Sequence, residues 1–154
     1  MRYIQTSEII EMIGKSRAQA LPGFHAFTGS DTTASFFKKG KKKAWDIWCV
    51  FPAATHFFNM LSSPITDEIE LKSYEKVLHE FVNRLYGLGS VGQSVDDARL
   101  QAIVFGGRDF NNIPPSSDAL HQKVMRAAYQ AGHIWGNMFL KDPVLPPPSS
   151  WGFL

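Results

Sequence analysis

Five lysines crowd into six positions, Lys38, Lys39, Lys41, Lys42 and Lys43, with Gly40 among them and no acid in the run. The chemistry such a run can do is anion binding. Each ammonium is a point charge that can displace counterions from a phosphate backbone. Gly40 lets a phosphate come close to the main chain. A helix opening there would add free N–H groups and the positive end of its dipole. A solvated lysine loop or a nuclear localisation signal would use the same composition.

Other reactive residue types are scattered. His25, His56, His79, His121 and His133 lack the i, i+4 partner of a helical zinc pair, and a single cysteine, Cys49, supports neither a disulfide nor a cysteine zinc site. Cys49 lies between Trp48 and Val50 and reads as a buried thiol with no identified base to activate it. His25 and His133 read as packed side chains. Asp46 reads as a surface charge. Asp96 and Asp97 read as acids of a helix start, where the dipole favours them. Trp45 and Trp48 could stack on bases, but a spacing of three on one helix fits a core. Gly87, Gly89 and Gly92 have no following Lys-Ser/Thr, so they form no nucleotide P-loop.

The remaining composition frames this cluster. The chain has 154 residues, 44% hydrophobic and 19% charged, which argues for a folded domain and against wholesale disorder. No apolar run approaches the ~20 residues of a membrane span, and the N-terminus lacks a signal-peptide h-region. An intracellular protein is expected, with nuclear import one reading of the lysines. The net charge of +2 hides an asymmetry. With the five clustered lysines set aside, eleven basic residues face fourteen acidic ones, a net of −3.

Helical periodicity must position these residues. Thr6-Ser7 can cap a helix carrying Ile9, Ile10 and Ile13 and ending near Gly14. Pro22-Gly23 predicts a bend within residues 18–28, giving a broken helix or two short turns. Gly29 to Thr33 reads as a loop. A helix is expected from about Gly40 through Val50, another after Pro52 through Leu61, then a stop at Ser62-Ser63-Pro64. Asp67 with Glu70 resembles a capping box. Leu71, Tyr74, Leu78, Phe81, Val82 and Leu85 form one stripe of a single helix ended by Gly87. Ser94 and Asp97 open a short helix ended by Gly106-Gly107. Ser116 or Ser117 caps a long one reaching Met138. The proline-rich tail after Lys141 should be extended, with Trp151 and Phe153 able to dock on the domain or present Pro146-Pro147-Pro148 to a partner.

Gly29-Ser30-Asp31, eight residues, then Gly40-Lys41-Lys42-Lys43-Ala44 resembles the flap endonuclease family of PIN-like nucleases. There a Gly-(Cys or Ser)-Asp segment carries a carboxylate for catalytic magnesium. A helical hairpin close to Gly-Ile-Gly-Pro-Lys-Arg-Ala then grips a DNA strand. The resemblance implies that Asp31 stands at a metal-binding carboxylate, Gly40 at the second hairpin glycine, Lys42 and Lys43 at the basic pair, and Ala44 at the small residue that follows. Lys38 replaces the first glycine, Lys39 an apolar residue and Lys41 the proline. Across most of its length, through LPGFHAFTGSDTTASFFKKGKKKAW, IPPSSDALHQKVMRAAYQAGHIWG and the PPPSSWGF tail, the chain is also similar to the C-terminal half of a multi-copy animal family associated with transposable elements. That resemblance implies a piece of a larger protein whose upstream part is PIN-like.

Together these readings predict an all-α, irregular domain of about six helices over residues 1–141, with an extended tail over 142–154. Its expected function is binding a DNA or RNA phosphate backbone through Lys38, Lys39, Gly40, Lys41, Lys42 and Lys43. Two-metal cleavage needs several converging carboxylates, so with Asp31 alone the chain is expected to be non-catalytic and to need no cofactor by itself. Mg2+ would belong to an intact protein. The alternatives are a non-enzymatic interaction module, with a protein partner covering an exposed apolar face, or a transposon-derived fragment with no function.

Overall fold

Helices account for every regular element among residues 5–64, 68–89, 92–105 and 112–153, the residues described by this computed structural model. The order is α1 (Thr6–Ile13), α2 (Lys15–Thr28), α3 (Lys41–Val50), α4 (Ala54–Leu61), α5 (Glu68–Ser73), α6 (Glu75–Leu85), α7 (Val95–Val104) and α8 (Ser117–Ala128). A π-helical turn, Tyr129–Trp135, continues α8, and a 3-10 turn, Pro148–Trp151, lies in the tail. The all-α expectation holds, with eight α-helices among the described residues rather than about six. The only extended pairing among them is one isolated bridge between Phe36 and Lys39. No described helix is long and apolar enough to cross a membrane.

The centre of the fold is α2, which packs against α4, α8 and the π-helical turn. It is one helix across Pro22, not the broken segment expected. A proline at this depth removes one helical hydrogen bond and crowds the preceding turn. Packing overrides that cost. The Gly23 amide donates to Ser62 Oγ at 2.8 Å, and the Ser62 hydroxyl donates to Phe58 O at 2.8 Å. A Cβ on Gly23 would lie 2.2 Å from Phe58 O, so only glycine lets α2 and α4 approach this closely.

That approach assembles an aromatic core. The Phe58 ring lies 5.0 Å from Trp48, 5.3 Å from Phe57 and Phe81, and 5.4 Å from Phe24. All five side chains are buried. Edge-to-face pairs within this range add to area burial. The Trp48 Nε1 proton goes to Thr55 Oγ1 at 2.9 Å, and Trp45 meets Trp48 edge-on. Trp48 belongs to the core and the partly buried Trp45 packs against it, as their spacing suggests.

Two elements depart from the periodic reading. Leu71, Leu78, Phe81, Val82 and Leu85 of the stripe are buried, and the half-buried Tyr74 divides it into α5 and α6. Its backbone sits at φ −99°, ψ 3°, and its amide bonds to Leu71 O three residues back. A single tightened residue keeps the stripe in phase, so periodicity alone does not reveal it. The long C-terminal helix stops at Trp135, short of Met138, and its last part is π-helical. There Gly132 packs on the chain after α4. A Cβ on Gly132 would lie 2.3 Å from Ser63 O. Both the widened turn and the glycine let that backbone in.

The helix ends follow the expected chemistry where they are described. Ser94 Oγ accepts the Asp97 amide and Ser116 Oγ accepts the Ala119 amide. Gly87, at φ +68°, closes α6 with Gly87 N–Arg84 O and Leu88 N–Asn83 O bonds, a Schellman arrangement. Gln5 rather than Thr6 precedes α1, and its side chain makes no cap bond. Asp67 of the expected capping box, and Gly106-Gly107, lie outside the described residues. The tail is not wholly extended. Its 3-10 turn brings Trp151 to 4.7 Å from the His133 ring and Phe153 to 5.6 Å from Tyr129, so the tail docks on its own domain. Arg126 Nε donates to Gly152 O at 2.6 Å and secures it.

Ser62→Ala is expected to destabilise the fold by about 1–3 kcal/mol, because it leaves the Gly23 amide unpaired at a buried crossing. Gly23→Ala should cost more, since it drives a methyl group into the α4 backbone. Chemical denaturation of the two variants beside the native chain checks both the sign and the order.

Candidate functional site

The lysine run divides into a tight turn and a helix start. Phe36 to Lys39 closes through a Lys39 N–Phe36 O bond of 3.0 Å, with Lys38 at φ +52°. That left-handed conformation favours glycine and costs a lysine about 1 kcal/mol. Gly40 then precedes α3 with an ordinary φ of −71° and open space where a Cβ would point. No side-chain cap bond closes the start of α3, so its first amides are left without one beside the lysines. The expected start near Gly40 is where the helix begins.

The five lysines do not form one surface. The Lys41 ammonium turns back onto the C-terminus of α2. It donates to His25 O at 3.0 Å, Thr28 Oγ1 at 3.0 Å and Gly29 O at 2.5 Å. Three protons meet three acceptors at the negative end of a helix dipole, and burial pushes this lysine below its usual value. Lys41 is thus a structural cap. Lys39 lies 4.8 Å above the Tyr86 ring and approaches Asn112 Oδ1 at 3.5 Å. Lys42 pairs with Asp46 at 2.8 Å along α3, and this pair is largely solvated. Lys38 covers the neighbouring Phe37 ring at 5.2 Å. Lys43 is exposed, with no partner among the described residues. The outward cations are therefore Lys38, Lys42 and Lys43.

Asp31 is exposed on a well-braced loop. The Ser30 amide bonds to Thr33, the Thr33 hydroxyl donates to Ala26 O at 2.6 Å, and Thr32 donates to Gln130 Oε1 at 2.6 Å. Gly29 is fixed by φ +113° and by Ser35, whose backbone a Cβ would meet at 2.8 Å. Glycine in this Gly-Ser-Asp segment is thus required by local packing. Among the described residues no group of three or more His, Cys, Asp or Glu converges. The described side chains therefore give Asp31 no ligand cluster of the kind a two-metal centre requires.

Nearby groups sort by contact. His25 is exposed and its ring stacks on Trp135 at 5.5 Å, rather than being packed away. Desolvation and the Lys41 charge lower its pKa, with Asp31 opposing them. His133 is buried against Trp151 and Tyr129, as a packed side chain should be. Cys49 is exposed, contrary to the expected buried thiol, because α3 turns Ala44 and Trp48 inward instead. Asp96 does more than start a helix. Its carboxylate accepts the Ser117 amide at 3.1 Å and the Ser117 hydroxyl, which joins α7 to α8 and lowers its pKa.

One cation escaped the sequence reading. Lys123 on α8 reaches under the loop. It donates to Ala34 O, and its Nζ lies 4.4 Å from the Phe36 ring centre and 5.9 Å from that of Phe27. Desolvation, then Arg126, then Lys41 push its pKa from 10.5 to about 8. The signal was present in the sequence. Lys123 falls beside Val124 on the same inward stripe as Leu120 and Ala127, where a charge has no ordinary place. A charged side chain held there without a carboxylate marks a functional candidate. Comparison with family models, curated proteins and solved structures finds no match.

The folded-state pKa of Lys123 lies below its unfolded value, so the fold disfavours the charged form. Stability should rise as pH climbs from about 8 toward 10.5, where the folded chain sheds the proton first. Lys123→Met should stabilise the protein at pH 7 by on the order of 1–3 kcal/mol. That gain should shrink above pH 8. Thermal melts of both chains across pH 6–10 check the sign.

Proposed function

We propose that this chain binds the phosphate backbone of DNA or RNA at the amino end of α3, as part of a PIN-like, nuclease-related protein, and does no catalysis by itself. The observation that carries this reading is the uncapped start of α3, flanked by the outward Lys38, Lys42 and Lys43 and opened by Gly40. Neither the backbone angle nor internal packing requires glycine at position 40, and its open side leaves room for a phosphate. Helix amides and mobile ammonium groups are complementary to an anion there. The left-handed turn at Lys38 supports the likeness to a nuclease hairpin, since the hairpin pattern has glycine at that position. Lys41 and Lys39 support the turn from within. Any magnesium at Asp31 would need carboxylates from elsewhere in an intact protein.

A second reading has its own observation. Met138, Phe139, Leu140 and Val144 are exposed, and an open apolar groove lies between α2 and the π-helical turn, lined by Leu21, Phe24, Trp135 and Met138. An apolar protein partner seated there would make the chain an interaction module.

Fluorescence anisotropy with labelled duplex and single strands, DNA and RNA, decides between these readings. The triple variant Lys38→Glu, Lys42→Glu and Lys43→Glu should abolish binding near physiological salt. Single Lys→Ala changes should each lower the salt slope by about 1. An unchanged affinity and slope in the triple variant would sink the nucleic-acid reading. Lys41 stays in place in every variant because it caps α2.

A further inference from the structure

Beneath the lysine turn, a cavity of about 320 Å3 opens between the residue 33–37 loop, Tyr86 at the end of α6 and one face of α8. Its size suits a small organic ligand. Phe36, Phe37 and Tyr86 give it aromatic walls, Ser35 contributes polar edge, and Lys123 and Arg126 supply two cations from consecutive turns of α8. No carboxylate lines it.

The cations are arranged at a cost. Lys123 is half-buried, carries three donor protons and shows one acceptor among the described residues, the Ala34 carbonyl. Arg126 spends its Nε proton on Gly152 O, which orients the guanidinium. Lys41 adds a third positive charge to the field on Lys123. Like charges held together with few acceptors destabilise a fold, and an anion entering the cavity would relieve the two that line it. A dianion matches the two lining cations, and a flat ring matches the walls.

We propose that this cavity is a binding site for a small phosphate monoester carrying a planar apolar group, its phosphate on Lys123 and Arg126 and its ring against the aromatic wall. The site lies apart from the outward face of Lys38, Lys42 and Lys43 and does not depend on the nucleic-acid reading.

The groups facing Lys123 set the pH dependence. They are Arg126 on its own helix, Lys41 from α3, and Tyr86 from α6, whose phenol burial pushes up so that it stays neutral. Lys39 sits above Tyr86. A phosphate monoester is already a dianion above about pH 6. Loss of binding as pH rises past about 8 would therefore report Lys123 deprotonation.

Isothermal titration and amide chemical-shift mapping with phenyl phosphate and inorganic phosphate test the proposal on the full chain. Phenyl phosphate should bind saturably and at least tenfold more tightly than inorganic phosphate, with shifts at Ala34 and Tyr86. Lys123→Met should weaken it at least tenfold while leaving the fold intact, and Lys43→Ala should leave it unchanged. Phe37→Ala removes an exposed part of the wall. It should weaken phenyl phosphate severalfold without changing inorganic phosphate, and it carries the test should Lys123→Met fold poorly. Equal affinity for the two phosphates, an unchanged affinity in Lys123→Met, or no saturable binding at millimolar phenyl phosphate would overturn the proposal.

Discussion

The α2–α4 crossing constrains everything around it. Gly23 rides 2.2 Å from Phe58 O, measured from where its Cβ would stand, and its amide is held by Ser62. Bringing two backbones that close places Phe24 and Phe27 on one side of Phe58, and Trp48 and Phe81 on others. The aromatic core then orients α3 and α6, since Trp48 belongs to one and Phe81 to the other. A proline that would end a helix elsewhere is tolerated here because tertiary contacts re-satisfy what it disrupts. The same logic recurs where Gly132 meets Ser63 O. Two glycines therefore let the segment around Ser62 and Ser63 sit between α2 and the π-helical turn.

Charge is distributed by function rather than by sequence neighbourhood. Lys41 holds the negative end of α2 and ties the Gly29 loop to α3. It is a support for the turn, and it also reaches electrostatically to His25 and Lys123. Lys123, far away in the chain, enters the same region from α8. The turn is thus braced from behind by one lysine and underlain by another. Its remaining cations face solvent at an uncapped helix end. An exposed pair such as Lys42–Asp46 contributes little to stability, so Lys42 can change partners at small cost.

Helical class, the start of α3 and most stripes were legible because burial follows the 3.6-residue period whatever the neighbours are. Leu78, Phe81, Val82 and Leu85 are buried as their spacing requires. The break at Tyr74 and the π-helical turn were hidden because each preserves the phase of its stripe. Cys49 misled because a thiol between a tryptophan and a valine looks buried by composition, whereas the helix presents those three residues to different sides. Lys123 was readable in principle as a charge on an apolar stripe, but nothing local shows that a loop would roof it.

By itself, the sequence determined an all-α chain, a lysine-dense turn running into a helix, and a tail with aromatic residues able to pack. Those properties follow from local periodicity, glycine and proline stereochemistry and charge density, which are encoded within a few turns of helix. Only the tertiary structure decided that α2 continues through Pro22, that Lys41 turns back onto the end of α2 while Lys38, Lys42 and Lys43 point away from it, and that Lys123 and Arg126 share an aromatic cavity. Each of these depends on groups distant in sequence: Ser62 for Pro22, the α2 carbonyls for Lys41, the 33–37 loop for Lys123. Direction and burial of a charged side chain are set by where an acceptor or an aromatic face arrives, and that is fixed by packing rather than by neighbours along the chain.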